Sequence, residues 1–289
     1  MQPFFTRKIE SYGTFIFESS GFIELAGKNI YVNVYEPLFN PNGNLILINE
    51  SLLLDSDRSL SISCRLSRMI ATQGYVVVRY DYTGTGNSDG ETEDLSFENL
   101  AKDCQNILNW IKDTYPNHCL KSVISFRMGS YITLQNHEIL ALFEKFIFVH
   151  PMDNLKKFIS RNYLQWQVFV HNRVHPEQIQ LSDIQQNLKT KPVIGLLGFE
   201  LQSDFLNRLM SIPCLWEVEL PANELLFIFE KNYKKSRNGW LEKYPNVTSE
   251  VIKHNRQARW DVDMLNKDRA CLENILECIF TFLAGADAC

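Results

Sequence analysis

Residues Lys121 to Leu134 read KSVISFRMGSYITL, and this stretch decides the fold. Ser122, Val123, Ile124 and Ser125 make a short apolar strand. Phe126, Arg127, Met128 and Gly129 make a sharp turn, and Ser130 to Leu134 begin a helix. A strand, a tight turn and a helix in this order are the unit from which parallel sheets with helical crossovers are built. The residue at the apex of the turn is an arginine, Arg127.

The flanking sequence repeats the alternation. Upstream, Thr14–Phe17 and Phe22–Leu25 read as short strands, and the turn at Gly27-Lys28-Asn29 leads into an alternating strand over Ile30–Tyr35. Leu45–Ile48 and Tyr75–Tyr80 are continuous apolar runs, the pattern of strands covered on both faces. Helical spacing over Leu60–Thr72 and Leu100–Ile111 separates them from each other and from the Arg127 turn. Lys145–Val149 is a further strand, ending at His150-Pro151. Residues 154–191 are polar and helical and read as a cap inserted into a core of residues 1–153 and 192–289. Core strands are expected at Pro192–Leu197, Leu215–Leu220 and Thr248–Lys253, with helices at Ser203–Leu209 and Asp268–Ala284. The class is α/β: a mainly parallel sheet, helices on both faces, and ligands at the carboxyl ends of the strands.

Composition narrows the function. The chain has 289 residues, 45% hydrophobic and 22% charged, with a formal net charge of -5. No basic stripe suggests nucleic acid; Lys231–Arg237 is a short solvated run. The seven cysteines show neither C-x-x-C nor zinc spacing, so they read as free thiols in a reducing cytoplasm, with no metal and no cofactor expected. The amino-terminal MQPFFTRKIE has no apolar signal core, and no run reaches membrane-spanning length. A cytoplasmic protein is expected, with homo-oligomerisation left open.

Two segments carry a resemblance. Ser125–Gly129 (SFRMG) resembles the G-x-S-x-G nucleophile elbow of the α/β-hydrolases, and Arg79–Gly90 (RYDYTGTGNSDG) resembles the R-x-D-x-x-G-x-G-x-S segment after their fourth strand. A narrower resemblance is to the second hydrolase-like family encoded beside bacterial exosortase systems, which also carries arginine at the elbow. Its motifs match Asn49-Glu50, Asp57-Arg58, Asp81–Ser88, Gly198–Leu201 and Arg259-Trp260. Ser125 departs from its first elbow glycine, and Arg259 from its aromatic before Trp260. The resemblance runs from about Ile30 to about Phe282 and implies the α/β-hydrolase fold in a bacterial biosynthetic protein.

The elbow frame also sets out the candidate site. A guanidinium cannot attack a carbonyl, so Arg127 removes serine chemistry. It either clamps an anion beside the helix start, or fills the position and pairs internally with Glu50, Asp81 or Glu224. The resemblance implies an oxyanion hole from main-chain N–H groups at Asn49–Ser51 and Met128. His254, following the last strand, is the candidate base, with Glu224 or Glu219 to orient it; His150 is a second candidate. Asp81 reads as a structural carboxylate of its turn. Ser125 and Ser130 lie off the apex, and Trp166, Phe169 and Trp260 are candidates for an apolar acyl pocket. The function expected is binding of an acyl or anionic small molecule, free or carrier-linked, with acyl transfer or ester or thioester hydrolysis as the reaction class. The alternative is an inactive pseudo-hydrolase acting as a scaffold.

Overall fold

A computed structural model describes residues 4–170, 181–230, 243–252 and 269–284. Its strands are β1 (Phe5–Ser11), β2 (Thr14–Leu25), β3 (Lys28–Pro37), β4 (Asn44–Asn49), β5 (Val76–Tyr80), β6 (Cys119–Phe126), β7 (Lys145–Val149), β8 (Val193–Leu196), β9 (Phe199–Gln202), β10 (Glu224–Glu230) and β11 (Val247–Ile252). Nine of them form one sheet in the order β1-β2-β3-β5-β4-β6-β7-β10-β11. The first three form an antiparallel meander, β3 pairs antiparallel with β5, and the remaining strands run parallel from β5 to β11.

The apolar runs explain this sheet. Residues of β4 alternate between two cores: Ile46 and Ile48 pack on one face, Leu45 and Leu47 on the other. The first face is covered by α1 (Leu54–Ala71) through Leu66 and Ile70, and by the carboxyl-terminal helix through Leu272, Ile275 and Ile279. The second face is covered by α2 (Phe97–Thr114) through Ile107, Leu108 and Ile111. Helix α2 starts where Ser96 accepts the Asn99 N–H at 3.1 Å, an N-cap that the sequence supplies. After β6 come α3 (Gly129–Leu134) and α4 (His137–Leu142), the latter capped by Asn136.

The strand order creates a crevice. From β4 the chain crosses to β5 on one side, then returns to β6 on the other side of β4. Ligands bind at such reversals, outside the carboxyl ends of the strands. Here those ends are Asn49 for β4 and Phe126 for β6, so Arg127 stands at the reversal.

Between β7 and β10 lie α5 (Leu155–Val170), α6 (Leu181–Thr190), the β8–β9 hairpin and α7 (Ser203–Ser211). Three expectations are corrected here. Pro192–Leu197 does not return the chain to the core: β8 pairs only with β9, in a separate two-stranded sheet. Leu215–Leu220 is no strand; Leu215–Glu217 forms a 3-10 turn, and the chain rejoins the sheet at Glu224. The short run LWEVEL alternates like a strand but stands between Pro213 and Pro221, which cannot donate to a ladder. The final helix, α8, is Arg269–Ala284. Strands Thr14–Phe17 and Phe22–Leu25 are one strand, β2, paired along its length with β3. Among the described residues, no helix is long and apolar enough to cross a membrane.

Candidate functional site

The elbow is built as its sequence frame requires. Arg127 has φ 49°, a left-handed backbone that only a tight, well-held turn imposes on a residue with a side chain. Its N–H donates to the Val149 carbonyl at 3.1 Å, and the His150 N–H donates to the Ile228 carbonyl at 2.8 Å, so adjacent strand ends lock one another. Gly129 is required: a Cβ there would lie 2.5 Å from the Glu50 carbonyl oxygen and 2.7 Å from that of Asn49. Helix α3 therefore rides directly on the end of β4. Ser125, in place of the first elbow glycine, is accommodated because its hydroxyl meets Thr133 Oγ1 at 2.7 Å.

Arg127 pairs with none of the three acids expected. Its Nε donates to Asp55 Oδ2 at 2.8 Å, with the arginine side chain 16% exposed and the aspartate fully buried. Asp55 lies in the first turn of α1, which the chain enters through Leu53 in a left-handed conformation (φ 58°). The ion pair thus spans the crevice, joining the turn after β6 to the helix after β4.

Each expected partner is engaged elsewhere. Glu50 Oε1 accepts from Arg79 Nε at 2.6 Å and from Ser63 Oγ at 2.5 Å, in a pair sealed from solvent. Arg79 is in register with Ile48 on the neighbouring strand, which brings its guanidinium beside Glu50. Asp81 accepts the Asn87 N–H at 2.9 Å inside its own turn. Burial raises the Asp81 pKa, against the opposing pull of that N–H and of Arg79. Glu224 opens β10 rather than following a strand, in register with Lys145, its partner at 3.3 Å. Four residues separate it from Ile228, which is in register with Val149, so it lies about 13 Å down the sheet from the crevice end. Glu219 is exposed in the loop before β10.

The oxyanion-hole expectation is modified. Met128 is fully buried, and its N–H donates to Ser51 Oγ at 3.3 Å. The Asn49 amide is tied into the interior: Nδ2 donates to Thr133 Oγ1 at 2.8 Å, and Oδ1 accepts from Tyr80 at 3.3 Å. His150 is 2% exposed in the turn after β7. His254 and Trp260, and the side chain of Phe169, lie outside the described residues. The side chains of Asp57 and Arg58, within α1, do so as well. Trp166 lies against Gly195 of β8.

The residues the sequence did not single out are Asp55 and the group around Arg79. Leu53 and Ser56, beside Asp55, help to line a cavity of about 500 Å³ that extends to Arg79, Asp81 and the 84–92 segment, with Phe199 of β9 on its wall. Among the described residues, no group of three His, Cys, Asp or Glu side chains is placed to hold a metal ion.

Comparisons with other proteins agree with this architecture. The family model of the X-Pro dipeptidyl-peptidases (S15 family) matches residues 26–123 and so ends before Arg127. No curated protein matches the chain in sequence. Among solved structures, a ferulic-acid-bound Est1E from Butyrivibrio proteoclasticus is 16% identical, covering 90% of this chain and 99% of its own, with a TM-score of 0.59. Mouse alpha/beta hydrolase domain-containing protein 10 is 14% identical, covering 93% of this chain and 99% of its own, at 0.58. The alpha/beta hydrolase GrgF from Penicillium sp. sh18 is 14% identical, covering 92% and 98%, at 0.61. With a mainly parallel sheet, helices on both faces and a left-handed elbow after β6, the chain has the α/β-hydrolase fold.

Proposed function

We propose that this chain is a hydrolase-fold protein of a bacterial biosynthetic pathway, working in the cytoplasm, that binds an acyl or anionic small molecule at the elbow without a serine nucleophile. One observation carries the reading: Arg127 occupies the apex of the elbow, partly open at 16% exposure, while its partner Asp55 is fully buried behind it. A guanidinium fixed from behind is pre-organised, which lowers the ordering cost of binding. Planar donors suit a carboxylate or a carbonyl. Asp55 already compensates the positive charge, so the site favours a carbonyl or a singly charged carboxylate over a dianion.

Where the bound group is an ester or thioester, the reaction class is acyl transfer or hydrolysis. Water or a substrate hydroxyl attacks the carbonyl, and His254, two residues beyond the end of β11, takes the proton; the C–O or C–S bond of the substrate then breaks, and the departing alcohol or thiol receives that proton, leaving the free acid or the new ester. Glu224 has no part in this, because it sits at the other end of its strand. A second reading, a pseudo-hydrolase scaffold, is favoured by the Met128 N–H: its bond to Ser51 uses the donor that an oxyanion would need.

The test is thermal stability with millimolar short carboxylates, acyl thioesters and phosphates, on the natural protein and on Arg127→Ala. Stabilisation by carboxylates or acyl thioesters that disappears in the variant supports the binding reading. No shift with any of them supports the scaffold.

A further inference from the structure

The sheet ends on one side at β1, and this edge has the features of a pairing surface. Among the described residues, no strand lies against its outer side. Strand β1 is seven residues long, contains neither proline nor glycine, and pairs with β2 in unbroken register, from Phe5 opposite Ser20 to Ser11 opposite Thr14. Sheet edges are commonly blunted by short strands, prolines or bulges, and β1 has none of these. Its turn, Tyr12-Gly13, has φ 50° and 81°, the type I′ hairpin connection. Ser11 and Thr14 flank that turn as a hydrogen-bonded pair, so by alternation the N–H and C=O groups of Thr6, Lys8 and Glu10 face outward, away from β2. Arg7, Lys8 and Glu10 have exposed side chains. Phe5 at the start of β1 and Tyr12 at its turn are exposed as well, Phe5 to 72%.

We propose that β1 is the docking edge for β1 of a second copy of this chain, the two strands running antiparallel about a two-fold axis through Ile9, so that two sheets join into one. Charge selects both the occupant and the register. A two-fold axis normal to the sheet keeps the matching faces of both copies aligned, so the residue on the axis faces itself. An axis through Arg7, Lys8 or Glu10 would set two like charges opposite one another, which is destabilising. Axes nearer the ends of β1 pair only a few residues. An axis through Ile9 sets Ile9 against Ile9 and each Lys8 against the other copy's Glu10, giving two opposite-charge pairs. In that register Lys8 and Glu10 are also outward-facing, so each pair exchanges two main-chain hydrogen bonds. The same overlap carries Phe5 of each copy to the other's Tyr12-Gly13 turn and covers the exposed rings. The charges that guard this edge against other strands therefore accept a copy of itself.

The test is sedimentation equilibrium of the full chain, with folding checked by circular dichroism. Between about 1 µM and about 200 µM the natural protein is expected to move from the monomer mass toward twice that mass, with a Kd of about 10 µM for so small an interface. Lys8→Glu sets glutamates opposite one another in both pairs and should weaken association about tenfold or more. Lys8→Glu combined with Glu10→Lys restores both pairs with the signs exchanged and should recover the natural Kd. Lys8→Pro removes an outward N–H that β2 does not use, so the monomer should fold and the dimer should be lost. A natural protein that stays monomeric over this range overturns the proposal. A dimer that either Lys8→Glu or a folded Lys8→Pro leaves unchanged overturns it too, because that dimer is built on another surface. So does a charge exchange that fails to restore what Lys8→Glu loses. If Lys8→Pro does not fold, the exchange of the two exposed charges decides.

Discussion

Two arginines stand near the carboxyl end of the sheet, each bonded to a carboxylate through Nε: Arg79 with Glu50 at 2.6 Å and Arg127 with Asp55 at 2.8 Å. Their chemistry is the same and their solvation is not. The side chains of the first pair are 2% and 5% exposed; Arg127 in the second is 16% exposed. A sealed pair draws its hydrogen bonds from the interior: Ser63 joins Glu50, and Tyr35 and Cys64 join Arg79. A pair with one open member keeps a surface for a ligand. One ion pair therefore belongs to the scaffold and the other to the crevice.

The sharpest way to break this comparison is to remove one partner of the sealed pair. Glu50→Gln leaves Arg79 charged and buried, and should cost about 3–5 kcal/mol in urea unfolding. A small loss would mean that water reaches Arg79 and that the two pairs are alike. Next is Gly129→Ala, whose methyl would meet the Glu50 carbonyl at 2.5 Å and should cost about 2–3 kcal/mol by overpacking. It asks whether the elbow is as rigid as its left-handed apex implies. Arg127→Ala leaves buried Asp55 without its guanidinium, but water can enter from the open side, so about 1–2 kcal/mol is expected. A loss equal to that of Glu50→Gln would assign Arg127 to the scaffold.

The parallel core and the elbow were legible because LILIN, YVVVRY and KFIFV are uninterrupted apolar runs and SFRMG keeps the turn frame. Strand β1 was not, because FTRKIES is an exposed edge with no apolar face to read. Strand β10, ELLFIFE, lies beside the alternating LWEVEL, which reads as a strand in sequence and so places Glu224 after a strand rather than at the start of one. Asp55 could not be found from sequence, since its approach to Arg127 depends on the left-handed entry at Leu53, where no glycine marks it. The sealed Arg79–Glu50 pair was equally hidden: each residue was visible, but only the register of β4 with β5 joins them.

The smallest expected effect comes from a third carboxylate, on the meander. Burial acts to raise the Glu18 pKa, but bonds from Arg68 and Arg7 outweigh it and hold the group below its ordinary 4.5. A lowered folded pKa gives stability that is present above 4.5 and is lost as pH falls through the folded value. Glu18→Gln should therefore flatten the acid limb of the stability profile below 4.5 and shift it little elsewhere. An unchanged acid limb would show that exposed Arg7 and partly buried Arg68 contribute nothing there.

The most direct measurement is a crystal structure of the protein soaked with short acyl thioesters, carboxylates and phosphates, read at Arg127. A carboxylate or acyl carbonyl on the guanidinium is expected, with the Nε bond to Asp55 intact. Arg127 enclosed on all sides by protein, with no ligand beside it at any soak, would contradict the account and make the elbow part of the scaffold.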